Sequence, residues 1–158
     1  MNESDRRWTK NSDGTPMLSN ERDRANEQHV IELVEDEWGC EVHRFSRLSP
    51  LDFWFEKHGR IVCVAELKAR SNSSDHYKTV FLSLRKWMSL SLTSTCLGVP
   101  AVFIAKFTDD VRWIDIRGVG TKMHICRRKD GLGTVEPVVE VLIADMAPVT
   151  TGLPQFVS

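Results

Sequence analysis

Residues 52–68 constrain the fold of this chain more than any other stretch. Asp52-Phe53-Trp54-Phe55-Glu56-Lys57 and Ile61-Val62-Cys63-Val64-Ala65-Glu66-Leu67-Lys68 both read as strands, with His58-Gly59-Arg60 as the turn between them. Such a hairpin folds the start of its first strand back toward the end of its second. Asp52, at the head of the first strand, then meets Glu66 and Lys68 at the exit of the second. Side chains alternate along a strand, so Glu66 and Lys68 share one face while Leu67 points the other way. Two carboxylates and an ammonium converging beside an apolar sheet are costly unless a cation joins them. The spacing therefore predicts a metal-dependent site.

The flanking segments supply layers for this hairpin. Residues 1–18 are polar, with Gly14 and Pro16, and read as a flexible arm. Ser19 or Asn20 can cap a helix with an acidic first turn that runs to Trp38 and stops at Gly39; Val30, Ile31, Leu33, Val34 and Trp38 follow its period. Residues 40–46 read as a strand and residues 69–77 as a polar loop. A second helix is expected over Thr79–Leu97, with Val80, Leu84, Trp87 and Met88 on one face and Gly98 at its end. Residues 100–105 form a buried apolar strand, and 111–116 alternate and pair with it across Thr108-Asp109-Asp110. Further strands are expected at 124–127 and 138–143, around a turn at 130–133. The order predicts a single α/β domain over residues 19–147, a mixed β-sheet flanked by helices, followed by an irregular tail at 148–158.

A chain of 158 residues is one domain by length and can bury a real core. No apolar run approaches the ~18 residues of a membrane span, so no membrane partner is expected. The N-terminus lacks the apolar segment of a secretory signal. Cys40, Cys63, Cys96 and Cys126 are widely spaced with no C-x-x-C pair, which favours buried free thiols and a reducing, cytoplasmic setting. The net charge of −1 argues against a general nucleic-acid binder, yet the charges are segregated. Residues 19–41 hold eight acids against two arginines, whereas 57–90 hold seven basic residues against Glu66 and Asp75. Lys122, Arg127, Arg128 and Lys129 add a further basic run. That distribution is compatible with a polyanionic partner, although solvated faces look similar.

A helix bearing Glu27, a strand, Asp52 heading a hairpin, Glu66-Leu67-Lys68 at its exit, then a helix and a strand: this order resembles the PD-(D/E)XK nuclease superfamily. The stretch from Tyr77 to Trp87, followed by Leu97 to Ile104, is similar to small phage-encoded members. The resemblance covers about residues 27–116, and Pro50-Leu51-Asp52 displaces the usual Pro-Asp pair by one residue. It implies a restriction-endonuclease-like core and hydrolysis of phosphodiester bonds in DNA through metal-activated water, in the host cytoplasm if phage-encoded. Asp52 and Glu66 are hard oxygen ligands suited to Mg²⁺ or Mn²⁺, ions that keep several waters. The resemblance adds the Leu67 carbonyl as a further ligand and a helical glutamate at the sheet edge. Lys68 would assist the nucleophile and stabilise charge developing on phosphorus.

Glu27 is the fourth candidate, as catalytic residue and ligand. It ends the stripe Glu27, Ile31, Val34, Trp38 and would reach toward the sheet edge to orient water or a second ion; the plainer reading is an acid favoured in a helix's early turns. Arg70, Arg85 and Lys86 are weaker candidates for phosphate contact, since a solvated basic face explains them equally well. His43, His76 and His124 lack ligand neighbours at any recurrent spacing, and Trp54 and Trp113 read as core residues. A homodimer would place two sites on opposite strands. The alternative is a catalytically silent nucleic-acid-binding or assembly module of the same fold.

Overall fold

The computed structural model describes residues 21–46, 48–120, 122–127 and 133–151. Its elements are α1 (Glu21–Trp38), β1 (Glu41–Arg44), β2 (Phe53–Lys57), β3 (Arg60–Ala69), β4 (Thr79–Ser83), α2 (Leu84–Leu97), β5 (Ala101–Lys106), β6 (Val111–Asp115), β7 (Met123–Arg127), β8 (Val135–Leu142) and β9 (Ala147–Pro148). Six strands form a mixed sheet in the order β1-β2-β3-β5-β6-β9, and three form a second sheet in the order β4-β8-β7. Among the described residues only β3 and β5 run parallel, and every other pairing is antiparallel. The expected mixed sheet flanked by helices is present, with the second sheet as an unforeseen layer.

The β2–β3 hairpin is tighter than expected. Lys57 pairs with Arg60 around a two-residue turn, so β3 starts one residue earlier and Arg60 leaves the turn. His58 (φ 52°) and Gly59 (φ 73°) both adopt the left-handed region, the conformation that matches a two-residue turn to the twist of its strands. A register shift between Phe55 and Glu56 marks a bulge in β2.

On one face of the large sheet, Val30, Ile31, Val34 and Trp38 of α1 pack against Phe53, Phe55, Cys63, Ala65, Val102 and Ile104. Trp38 is fully buried, set edge-on to Phe55 and Trp113 at 5.8 and 5.5 Å. Its Nε1–H donates to the Val149 carbonyl at 3.2 Å. The fold thus continues past residue 147: β9 pairs with β6, and Val149, at the head of a 3-10 turn (Val149–Thr151), is fully buried. On the other face, Val64, Phe103 and Ala105 meet Val80 and Leu82 of β4, Leu90 of α2, and Val139 and Val141 of β8.

The expected helix over Thr79–Leu97 is corrected by this packing. Residues 79–83 form β4, because Val80 and Leu82 alternate into the core while Phe81 stays half-buried. Ser83 then caps α2 by accepting from the Lys86 N–H at 3.4 Å, and Gly98 (φ 64°) ends it. Leu90, absent from the expected apolar face, is the fully buried residue of α2, whereas Met88 is exposed. Of the thiols, Cys40 and Cys63 are buried, Cys126 is half-buried and Cys96 is exposed on α2. The N-terminal arm, the Ser19 or Asn20 cap and residues 130–132 of the expected turn lie outside the described residues.

Candidate active site

Strand pairing builds the site. In β3 the backbone amides of even-numbered residues face β5, as the Val64 N–H to Pro100 carbonyl bond and the Arg70 N–H to Lys106 carbonyl bond establish. Residues 63 and 65 therefore turn their backbones to β2, and so does Leu67. The β2 ladder ends at the Phe53–Ala65 pair, so the Leu67 amide lies beyond it. Asp52 fills that gap: its Oδ2 accepts the Leu67 N–H at 3.0 Å. Because N–H and C=O of one strand residue point to the same edge, the Leu67 carbonyl is directed to the side where Asp52 stands. The side chains of Val64, Glu66 and Lys68 rise on the opposite face from Leu67, toward α2 and the second sheet.

Glu66 is the one buried charged side chain among the described residues, at 7 % exposure. Burial, and then the neighbouring Asp52 carboxylate, push its pKa up from 4.5 to about 8, against the opposing pull of Lys86. The Lys86 ammonium sits 2.9 Å from Oε1 and 3.1 Å from Oε2 of Glu66 and donates to the Pro50 carbonyl at 2.7 Å. It thereby ties the end of β3 to the segment that delivers Asp52. Lys68 reaches across to the second sheet, where its Nζ donates to the Phe81 carbonyl of β4 at 2.7 Å.

Glu27 stands slightly apart. Its carboxylate pairs with Arg44 of β1 at 2.5 Å, and burial raises its pKa, with Arg44 opposing and Asp52 adding to the rise. It feels Asp52 but is neutralised locally by a guanidinium. Arg85 is exposed on α2, and Arg70 is half-buried where the chain leaves β3. Of the three weak basic candidates, Lys86 alone contacts an acidic site residue.

The roles of Lys86, the Pro50 carbonyl, the Phe81 carbonyl and Arg44 were missed from sequence. One signal was available for Lys86. Arg85 and Lys86 lie in the first turn of α2, where the helix dipole disfavours cations and acids are absent. A lysine there is tolerable when a buried carboxylate waits for it.

Among the described residues no three acidic, histidine or cysteine side chains gather closely enough to cage an ion unaided. The donor set is instead two carboxylates with a backbone carbonyl on the same edge, which fits a hard divalent ion that retains waters. The histidines go elsewhere: His43 lies between Glu41 and Glu56 and stacks on Trp54, and His124 pairs with Glu140.

Residues 15–149 match the family model described as "Phage putative PDDEXK endonuclease". The chain belongs to this PD-(D/E)XK nuclease family. No curated protein matches the sequence. A similar solved structure is that of Hjc from Archaeoglobus fulgidus, a Holliday junction resolvase, at 13 % identity and a TM-score of 0.54. The match covers 78 % of this chain and 96 % of Hjc, so the two share the fold. No helix among the described residues is long and apolar enough to cross a membrane.

Proposed function

We propose that this protein is a Mg²⁺- or Mn²⁺-dependent endonuclease that hydrolyses DNA phosphodiesters at the Asp52–Glu66–Lys68 site. The observation that carries the reading is the forced pairing of two carboxylates. Glu66 is buried, Asp52 raises its pKa further, and both stay ionised together only with a strong positive charge beside them. Asp52, Glu66 and the Leu67 carbonyl are the groups that would hold such an ion. When bound, it would neutralise charge building on the phosphodiester and make a water more acidic.

The chain's own groups account for the remaining demands. Lys68, on the same face as Glu66 and steadied by the Phe81 carbonyl, supplies an ammonium to negative charge developing on phosphorus. Lys86 keeps Glu66 oriented and ties it to the Asp52 segment. Glu27 lends negative potential at Asp52 and can hold a water or a second ion only by parting from Arg44. Arg70 and Arg85 lie on segments adjoining the site, where phosphate contact would add affinity. The family supports DNA as the substrate, in the host cytoplasm, and a two-fold dimer would bring two sites to opposite strands.

The test uses plasmid and single-stranded DNA with Mg²⁺ or Mn²⁺. Cutting is expected, and EDTA, Asp52→Ala and Lys68→Ala should each abolish it while circular dichroism shows folded variants. Intact DNA with well-folded wild type across metals and DNA forms would instead identify a silent binding module.

A further inference from the structure

The loop between β3 and β4 begins and ends at the active site. It leaves β3 just after Lys68 and returns through Lys78 into β4, where the Phe81 carbonyl accepts the Lys68 ammonium. The loop is pinned along its length. The Arg70 N–H donates to the Lys106 carbonyl at 2.7 Å, and the Asn72 carbonyl accepts the Thr108 N–H at 3.1 Å. Ser74 clamps both carboxylate oxygens of Asp109, through its N–H at 2.8 Å and its hydroxyl at 2.9 Å. The Lys78 carbonyl accepts the Ile143 N–H at 3.0 Å. A nine-residue polar loop is thus held by partners on β5, the β5–β6 turn and the segment after β8.

On this braced loop stands Tyr77, the sole tyrosine of the chain, 55 % exposed. Every other phenylalanine, tryptophan or tyrosine among the described residues is buried or half-buried. The His76 ring lies at 4.4 Å and 85° to the phenol, an edge-on contact that restricts its orientation. His76 and Lys78 are themselves exposed, so the aromatic ring is flanked by a cation. An exposed large aromatic on a fixed loop, with a neighbouring lysine, suits a base stacked on the ring and a phosphate on the ammonium. Tyr77 precedes Phe81 by four residues, with a bend at Lys78 before β4 begins, so the two are at most about 14 Å apart along the chain. That corresponds to at most about four steps of a stacked strand.

We infer that Tyr77 is a stacking platform for an unpaired nucleobase a few nucleotides from the bond that is cut, so that the enzyme binds single-stranded or forked DNA in preference to continuous duplex. This rests on the nuclease reading of the site, and Tyr77 acts in substrate binding, away from the reacting atoms.

The experiment measures binding of fluorescently labelled single-stranded, forked and fully paired oligonucleotides by anisotropy, in EDTA so that none is cut. Tyr77→Ala should lose between about 5-fold and 150-fold affinity for the unpaired substrates, the range expected for removing one base–aromatic stack. Tyr77→Phe should stay within about twofold of wild type, and duplex binding should be unchanged in both variants. Equal losses on all three substrates, or Tyr77→Ala binding single strands as wild type does, would overturn the inference. Failure of wild type to bind any DNA would sink the nuclease reading itself. Plasmid cutting by the wild type with Mg²⁺ separates the two, because it tests the nuclease reading with Tyr77 unaltered.

Discussion

Lys86→Met removes the ammonium that the site is built around while keeping the length of the apolar stem. The lysine makes three contacts, at 2.9 and 3.1 Å to Glu66 and 2.7 Å to the Pro50 carbonyl. At about 3 Å and an effective dielectric of about 20, the Coulomb attraction is on the order of 5 kcal/mol. Desolvation offsets much of that, and breaking a buried pair by deleting one partner costs about 3–5 kcal/mol. Two features reduce the figure here. The Lys86 side chain is 31 % exposed, so water screens it. Glu66, with a pKa of about 8, already holds its proton most of the time at pH 7, so the charge–charge attraction acts only on the ionised fraction. We expect a loss of about 1.5–3 kcal/mol, read from urea denaturation with an unchanged m-value. Because the freed Glu66 would hold its proton more tightly than at its present pKa of about 8, Mg²⁺ affinity at pH 7 should fall about tenfold. Titration calorimetry reads that directly. A stability change under about 0.5 kcal/mol would refute the view that Lys86 ties the two carboxylate segments together. Tighter Mg²⁺ binding would do the same, since it would make Lys86 a mere competitor for the ion.

The raised pKa of Glu66 has a definite sign in both stability and binding. The folded protein holds this proton up to about pH 8, the unfolded chain only to about 4.5, so the contribution is complete below 4.5 and is lost as pH rises through 8. Metal-free stability should decline over that window in wild type but not in Glu66→Gln, and a flat difference between the two would exclude the assignment. Divalent ions bind the ionised form, so Mg²⁺ binding at pH 7 should release close to one proton. Calorimetry in buffers of different ionisation enthalpy measures that number, and zero release would contradict the buried, protonated carboxyl. Gly59→Ala should cost about 1 kcal/mol, because φ is +73° while nothing lies within 4 Å of the new methyl. The denaturation midpoint should drop with Mg²⁺ affinity retained, and an unchanged midpoint would argue against the left-handed turn.

The geometry of the candidate site was legible where local periodicity and one turn decide it. Alternation placed Glu66 and Lys68 on one face, a tight turn brought Asp52 to their end of the hairpin, and the stripe through Ile31, Val34 and Trp38 fixed the buried face of α1. What local pattern could not supply was pairing between segments far apart in sequence. Residues 79–83 carry Val80 and Leu82 at strand spacing, yet Val80 and Leu84 also fit a helix, and partner β8 lies nearly sixty residues on. Without β8 the second sheet is invisible, and with it goes the Phe81 carbonyl that receives Lys68.

The same limit governs the charges. Sequence lists the acids near the hairpin but not their burial, and burial separates them. Glu66 is sealed beneath α2 with a lysine, Glu27 is drawn aside by Arg44, and Asp52 is engaged by a backbone amide. Glu66 and Glu27 therefore face different costs of ionisation, and the more deeply desolvated Glu66 has more to gain from a divalent cation. On that ground Glu66, more than Glu27, should set the pH dependence of metal loading.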